Sequence, residues 1–240
     1  MFQNPHDTLV GQRWNFMTIK AVLFDFDDTL GDREVYAYRT YAQALDEHYP
    51  GLDPLTRESA LQQCMVLDQQ GDVSKEFVRN GLLKTQGLDL GEDLQAWWYQ
   101  NQGRHAVLFD DTLDTLKTLK EKGYLLGIVT NGSVVSQNMK IDTTGIREYF
   151  DAIVVSGEVN VHKPDPEIFR IAAERLHVKC GECIFVGDLY YRDVIGAARA
   201  GMKPVWIWAH GKRLCMNPDI PHITRISSLL DVMPDILKSE

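Results

Sequence analysis

An apolar run, Ala21-Val22-Leu23-Phe24, stops abruptly at Asp25-Phe26-Asp27-Asp28-Thr29, and no other feature of the chain restricts its fold as strongly. A short, uninterrupted apolar run reads as a strand buried on both faces, as in a parallel sheet covered by helices. Three carboxylates within four residues then stand at the C-terminal edge of that strand, where open α/β sheets bind ligands. Clustered carboxylates raise one another's pKa unless something positive sits among them. A bound divalent cation with a phosphate beside it is the economical explanation.

The rest of the chain supplies a sheet for that strand. Asp111 to Lys122 carries Leu113, Leu116 and Leu119 at helical spacing and is ended by Gly123. Apolar runs at 124–129, 151–155, 183–186 and 204–208 read as four further strands. Helical segments separate them at about 133–141, 165–177, 190–200 and 226–237. This alternation predicts an α/β fold, a doubly wound parallel sheet of five strands. The stretch from 32 to 104 is far too long for an ordinary crossover. It is rich in Leu, Gln, Glu, Tyr and Ala and reads as short helices broken at Pro50-Gly51, Gly71-Asp72 and Gly87-Leu88. The expected organisation is a core of 17–31 and 105–240, a helical cap or lid over 32–104, and an extension over 1–16.

Composition narrows the partners. The chain has 240 residues, 44% apolar and 25% charged, which is ordinary for a globular protein. No apolar run approaches the roughly 18 residues of a membrane span, and the start lacks a signal-peptide pattern, so a cytoplasmic location is expected. A net charge of −9 without a long basic run argues against nucleic acid or an anionic membrane as partner. A phosphorylated small molecule would therefore have to be attracted locally. Of the cysteines at 64, 180, 183 and 215, Cys180 and Cys183 have CxxC spacing but no second pair to complete a zinc site. Nothing in the sequence speaks to oligomeric state.

Polar groups follow the other strands as well. Thr130-Asn131-Gly132-Ser133 follows the second, His162-Lys163-Pro164 lies beyond the third, and Gly187-Asp188 closes the fourth with Asp193 behind it. Strands that share one direction can bring these groups to one edge. Each type has a use in phosphoryl transfer. One carboxylate can attack phosphorus, and a second can protonate the leaving oxygen and then take a proton from water. Backbone N–H groups and a hydroxyl at a helix start suit phosphate oxygens, and a lysine supplies fixed positive charge. Mg²⁺ suits scattered aspartates.

These motifs, in this order, resemble the haloacid dehalogenase superfamily across the whole core. The resemblance implies that Asp25 is the nucleophile and Asp27 the general acid/base. It implies that Thr130, with the Asn131 and Gly132 backbone, holds phosphate and that Lys163 pairs with Asp25 and the phosphoryl group. Mg²⁺ would be bound by Asp188, the Asp25 side chain and the Asp27 carbonyl, with Asp193 close behind. It further implies a sheet order of 3-2-1-4-5 and a helical cap where the insertion falls. Asp27 favours phosphate-ester chemistry over dehalogenation, because ejecting a halide needs no proton. Asp28 stands where many relatives have glycine. A Mg²⁺-dependent phosphatase of a small phosphorylated metabolite, acting through an aspartyl-phosphate, is the expected function. A sugar phosphomutase on the same core, or an idle binding module, are the rivals.

Outside the motifs, Trp97-Trp98-Tyr99 and Tyr36, Tyr38 and Tyr41 read as packing for the cap helices. His162 reads as a loop residue. Arg33 and Arg39 can reach a second substrate anion, although surface salt bridges are their commoner use.

Overall fold

The computed structural model describes residues 18–210 and 220–238, so the extension expected over 1–16, and Cys215, lie outside the described residues. Strands β1 (Ala21–Phe24), β2 (Leu125–Thr130), β3 (Ala152–Val155), β4 (Cys183–Gly187), β5 (Lys203–Ile207) and β6 (His222–Ile223) form one sheet in the order β3-β2-β1-β4-β5-β6. All five pairings are parallel. The expected order 3-2-1-4-5 is therefore present, with a sixth strand added at its edge. This strand has only two residues, paired with Trp206 and Ile207. A segment that short carries no readable period.

The uninterrupted apolar run of β1 has a physical cause. Successive side chains of a strand point to opposite faces. Val22 and Phe24 enter one buried cluster with Ile128, Ile184 and Val205, whereas Ala21 and Leu23 enter another with Phe169, Ala172 and Phe185. Both faces are covered, so neither set of positions can be polar.

Between β1 and helix α5 (Thr112–Glu121) the chain forms α1 (Arg33–His48), α2 (Pro54–Asp68), α3 (Lys75–Gln86) and α4 (Leu94–Asn101). Asp32, Asp53 and Ser74 cap the first three by accepting N–H bonds from Val35, from Leu55 and Thr56, and from Phe77. Gly87 ends α3 in the left-handed conformation, at one of the foreseen breaks. These helices bury a core of their own, including Tyr41, Leu45, Leu61, Leu82 and Trp98. The remaining helices are α6 (Val134–Thr143), α7 (Ser156–Val159), α8 (Pro166–Arg175), α9 (Ile195–Ala200) and α10 (Leu229–Lys238). The helix expected from residue 190 opens instead with one π-helical turn, Tyr190–Val194, a distortion frequent at functional sites. Among the described residues no helix is long and apolar enough to cross a membrane.

Phe169 is fully buried and meets Phe185 edge-on at 4.9 Å between ring centroids. Phe169→Ala is expected to lower stability by about 3–5 kcal/mol, measured by urea unfolding of the purified protein.

Candidate active site

Because every strand runs the same way, the C-terminal ends gather on one edge. Asp25 leaves β1 with its N–H donating to Val186 of β4 at 2.9 Å. Thr130 ends β2, Lys163 lies in the loop before α8, Asp188 follows β4 and Asp193 sits in the π turn. Together they line a cavity of about 600 Å³. Lys163 Nζ lies 2.7 Å from Asp25 Oδ1 and 2.7 Å from Asp193 Oδ1. Gly187 makes this approach possible, since a Cβ there would stand 2.4 Å from Asp193 Cβ.

The loops hold the lysine by its backbone. Asn131 Oδ1 accepts the Lys163 N–H at 2.9 Å, and Asn131 Nδ2 donates to the Lys163 carbonyl at 3.0 Å. The Asn131 side chain is thus a clamp on the lysine loop. The Gly132 N–H, expected to face phosphate, donates to Ser156 Oγ at 3.0 Å in this structure. The Thr130 hydroxyl accepts from Gln137.

Asp27 faces a different set of partners. Lys140 Nζ lies 2.8 and 2.9 Å from its two oxygens, and the Tyr36 hydroxyl donates to it. Burial alone would push the Asp27 carboxyl up, but the Lys140 charge and hydrogen bond and the Tyr36 hydroxyl outweigh it and hold the group below its ordinary range. Lys140 is itself held low, by burial above all, with Asp27 opposing. Asp25 shows the opposite balance. Burial pushes it up to about 7 against the pull of Lys163, and the charges of Asp193 and Asp27 add to the rise. Asp188 is raised well above the usual carboxylate range by burial, then by Asp193 and Asp25.

These directions provide a test for a cation. Oxygens of Asp25, Asp188 and Asp193 lie within 4.8 Å of one another, and all three residues are buried. Among the described residues, Lys163 pairs with two of the three, so the cluster when ionised carries two more negative charges than that ammonium offsets. An all-oxygen set with this excess fits Mg²⁺. The Asp27 side chain is outside this cluster, so any contribution from that residue would come from its carbonyl.

Several contributors escaped the sequence reading. Tyr36 does not merely pack helices; its hydroxyl reaches Asp27. Arg33, already named as able to reach a second anion, makes its salt bridge in the interior rather than on the surface, with Nη2 2.6 Å from Asp68 Oδ2. Lys140 and Gln137 went unremarked, although they occupy the buried face of α6 with Ile141. Polar residues at i and i+3 on the apolar face of a helix were the available signal. Trp98 is buried in the helical core as expected, and exposed His162 lines the cavity. Asp28 has φ of +55°, the left-handed region where glycine is favoured and aspartate tolerated, which accounts for the glycine of many relatives.

A family model described as haloacid dehalogenase-like hydrolase matches residues 22–207. The chain is 36% identical to a glyceraldehyde 3-phosphate phosphatase of Methanopyrus kandleri over 237 residues, covering 92% of this chain and 99% of that protein. It is 36% identical to the N-acylneuraminate-9-phosphatase of Mus musculus over 151 residues, 62% of this chain and 60% of that one. Among solved structures, the magnesium-bound HAD-hydrolase YfnB of Bacillus subtilis shares the fold with a TM-score of 0.74 at 23% identity, covering 90% of this chain and 99% of YfnB.

Lys140 favours the charged form of Asp27, so removing its charge must raise the Asp27 pKa. Lys140→Met is expected to move the Asp27 titration to higher pH, read by ¹³C NMR of the carboxyl. An unmoved titration would show that Tyr36 and Arg33, not Lys140, set the carboxyl's state.

Proposed function

The chain belongs to the haloacid dehalogenase-like hydrolase family, and from that membership we propose a Mg²⁺-dependent phosphatase acting on a small phosphorylated metabolite in the cytoplasm. The observation that carries this reading is the buried Lys163 ammonium bridging Asp25 and Asp193 in the wall of a cavity that Asp27 also lines. The relatives named as phosphatases support the reaction type.

In the first step Asp25 attacks phosphorus, the bond to the leaving oxygen breaks, and Asp27 gives that oxygen a proton. In the second, water attacks the phospho-aspartate while Asp27 takes the water's proton, which frees phosphate and restores Asp25. The pairing of Asp27 with Lys140 keeps it in the base form that the second step uses. A phosphate dianion brought beside Asp27 raises its pKa, which is the direction the first step needs. Lys163 holds charge against both the nucleophile and the phosphoryl oxygens, and Thr130 offers its hydroxyl there. Asp25, Asp188 and Asp193 would hold Mg²⁺, which would add the positive charge that lets an anionic nucleophile meet an anionic ester.

The helices of 32–104 are taken as a cap over a core of 17–31 and 105–240. Gln102 reaches Ser136 of α6 at 2.5 Å, and Arg192 of the π turn pairs with Asp72 at 2.6 Å. Closure of such a cap would exclude water during the first step.

Mg²⁺-dependent phosphate release from a panel of nucleotides, sugar phosphates and phospho-acids is expected, reduced by about 10³-fold or more in Asp25→Asn. Equal release by the variant, or none by either protein, would overturn the reading. Independently of turnover, Mg²⁺ is expected to raise the thermal midpoint of the native chain and not that of Asp188→Asn.

A further inference from the structure

Arg33, Lys75 and Asp68 are almost wholly buried, at 7%, 4% and 1% exposure, and the two cations line the same cavity as Asp25, Thr130 and Lys163. Both draw on the single Asp68 carboxylate, which also accepts the Tyr41 hydroxyl at 2.7 Å. Two positive charges therefore share one negative charge. The next carboxylates that act on Arg33 also have other cationic partners. Asp27 is held by Lys140, and Asp28 accepts from His210 at 2.9 Å. Burial drives the Lys75 ammonium down to about 8, with Asp68 opposing and Arg33 reinforcing, whereas Asp68, Tyr36, Asp27 and Asp28 outweigh burial and hold the Arg33 guanidinium above its ordinary range. Gly71, at φ +89°, brings its loop against the guanidinium, where a Cβ would stand 2.8 Å from Nη2.

We propose that Arg33 and Lys75 form a second anion subsite, and that the substrate is a phosphate ester carrying a carboxylate at its other end. The inference rests on the phosphatase reading and names its substrate class. Counted on the salt bridges to Asp68 alone, two cations meet one carboxylate, a surplus that matches a carboxylate's single negative charge better than a second phosphate's two. The planar guanidinium fork suits carboxylate oxygens, and the lysine adds a compact charge beside it. The cavity, about 600 Å³, is large enough for a small metabolite, and both groups of cations line it. With a net charge of −9, the chain offers an acidic substrate no long-range attraction, so local cations must supply it.

The test compares kcat/KM for esters matched except for the acid: 3-phosphoglycerate against glycerol 3-phosphate, and 6-phosphogluconate against sorbitol 6-phosphate. The acid of at least one pair is expected to be preferred by roughly tenfold or more. Lys75→Gln should shrink that preference, and Lys75→Arg should keep it. Competition by gluconate, but not sorbitol, reads the same subsite in the native protein should the glutamine variant fail to fold. Equal use of acid and neutral ester in both pairs would overturn the subsite while leaving the phosphatase standing, as would a preference that survives Lys75→Gln. No Asp25-dependent release from any ester would overturn the phosphatase reading and the subsite with it.

Discussion

The buried ammonium of Lys163 is the contact on which the site depends. It lies between Asp25 after β1 and Asp193 in the turn after β4, two carboxylates that would otherwise repel in a dry environment. Burial alone would drive the lysine towards its neutral form, but Asp193 and then Asp25 outweigh burial and hold its pKa above the ordinary value. The lysine cannot withdraw without leaving two buried charges unpaired, a loss typically worth several kcal/mol. Asn131 fixes its backbone from β2, so elements on both sides of β1 converge on one nitrogen.

Around that centre the charges are segregated. The Asp25, Asp188 and Asp193 set carries an excess of negative charge suited to a divalent cation. Asp27 stands apart, neutralised by Lys140 and steadied by Tyr36. Two carboxylates two residues apart in sequence thus acquire opposite titration behaviour from their surroundings. A nucleophile and an acid/base require that kind of difference.

Much of this was legible in the sequence because it is carried by short local patterns. The run at 21–24, its acidic stop and the later strands are apolar blocks that only a doubly covered sheet explains. Asp25, Thr130 and Asp188 stand at strand ends and Lys163 and Asp193 in the segments beyond them, an order that the family resemblance made readable. The illegible part depends on helix rotation. Whether Tyr36, Lys140 or Lys75 turns toward the cavity is decided by how α1, α3 and α6 pack, and a polar residue on a helix looks the same in sequence whether it faces solvent or a site. Strand β6 was missed for another reason: two residues held by β5 have no pattern to read.

Helix α1 links Asp27 to the insertion of 32–104. Asp28, in the left-handed conformation, accepts the Arg33 N–H at 3.0 Å and so sets where the helix begins. From that start, Tyr36 reaches back to Asp27 and Arg33 reaches out to Asp68 at the end of α2. One turn of helix therefore touches both Asp27 and the charged wall of the insertion. A shift of the insertion that moved α1 would displace the Tyr36 hydroxyl from Asp27 and alter the charge balance that sets its protonation. The two contacts arise from one turn because Arg33 and Tyr36, three residues apart, lie on the same side of the helix.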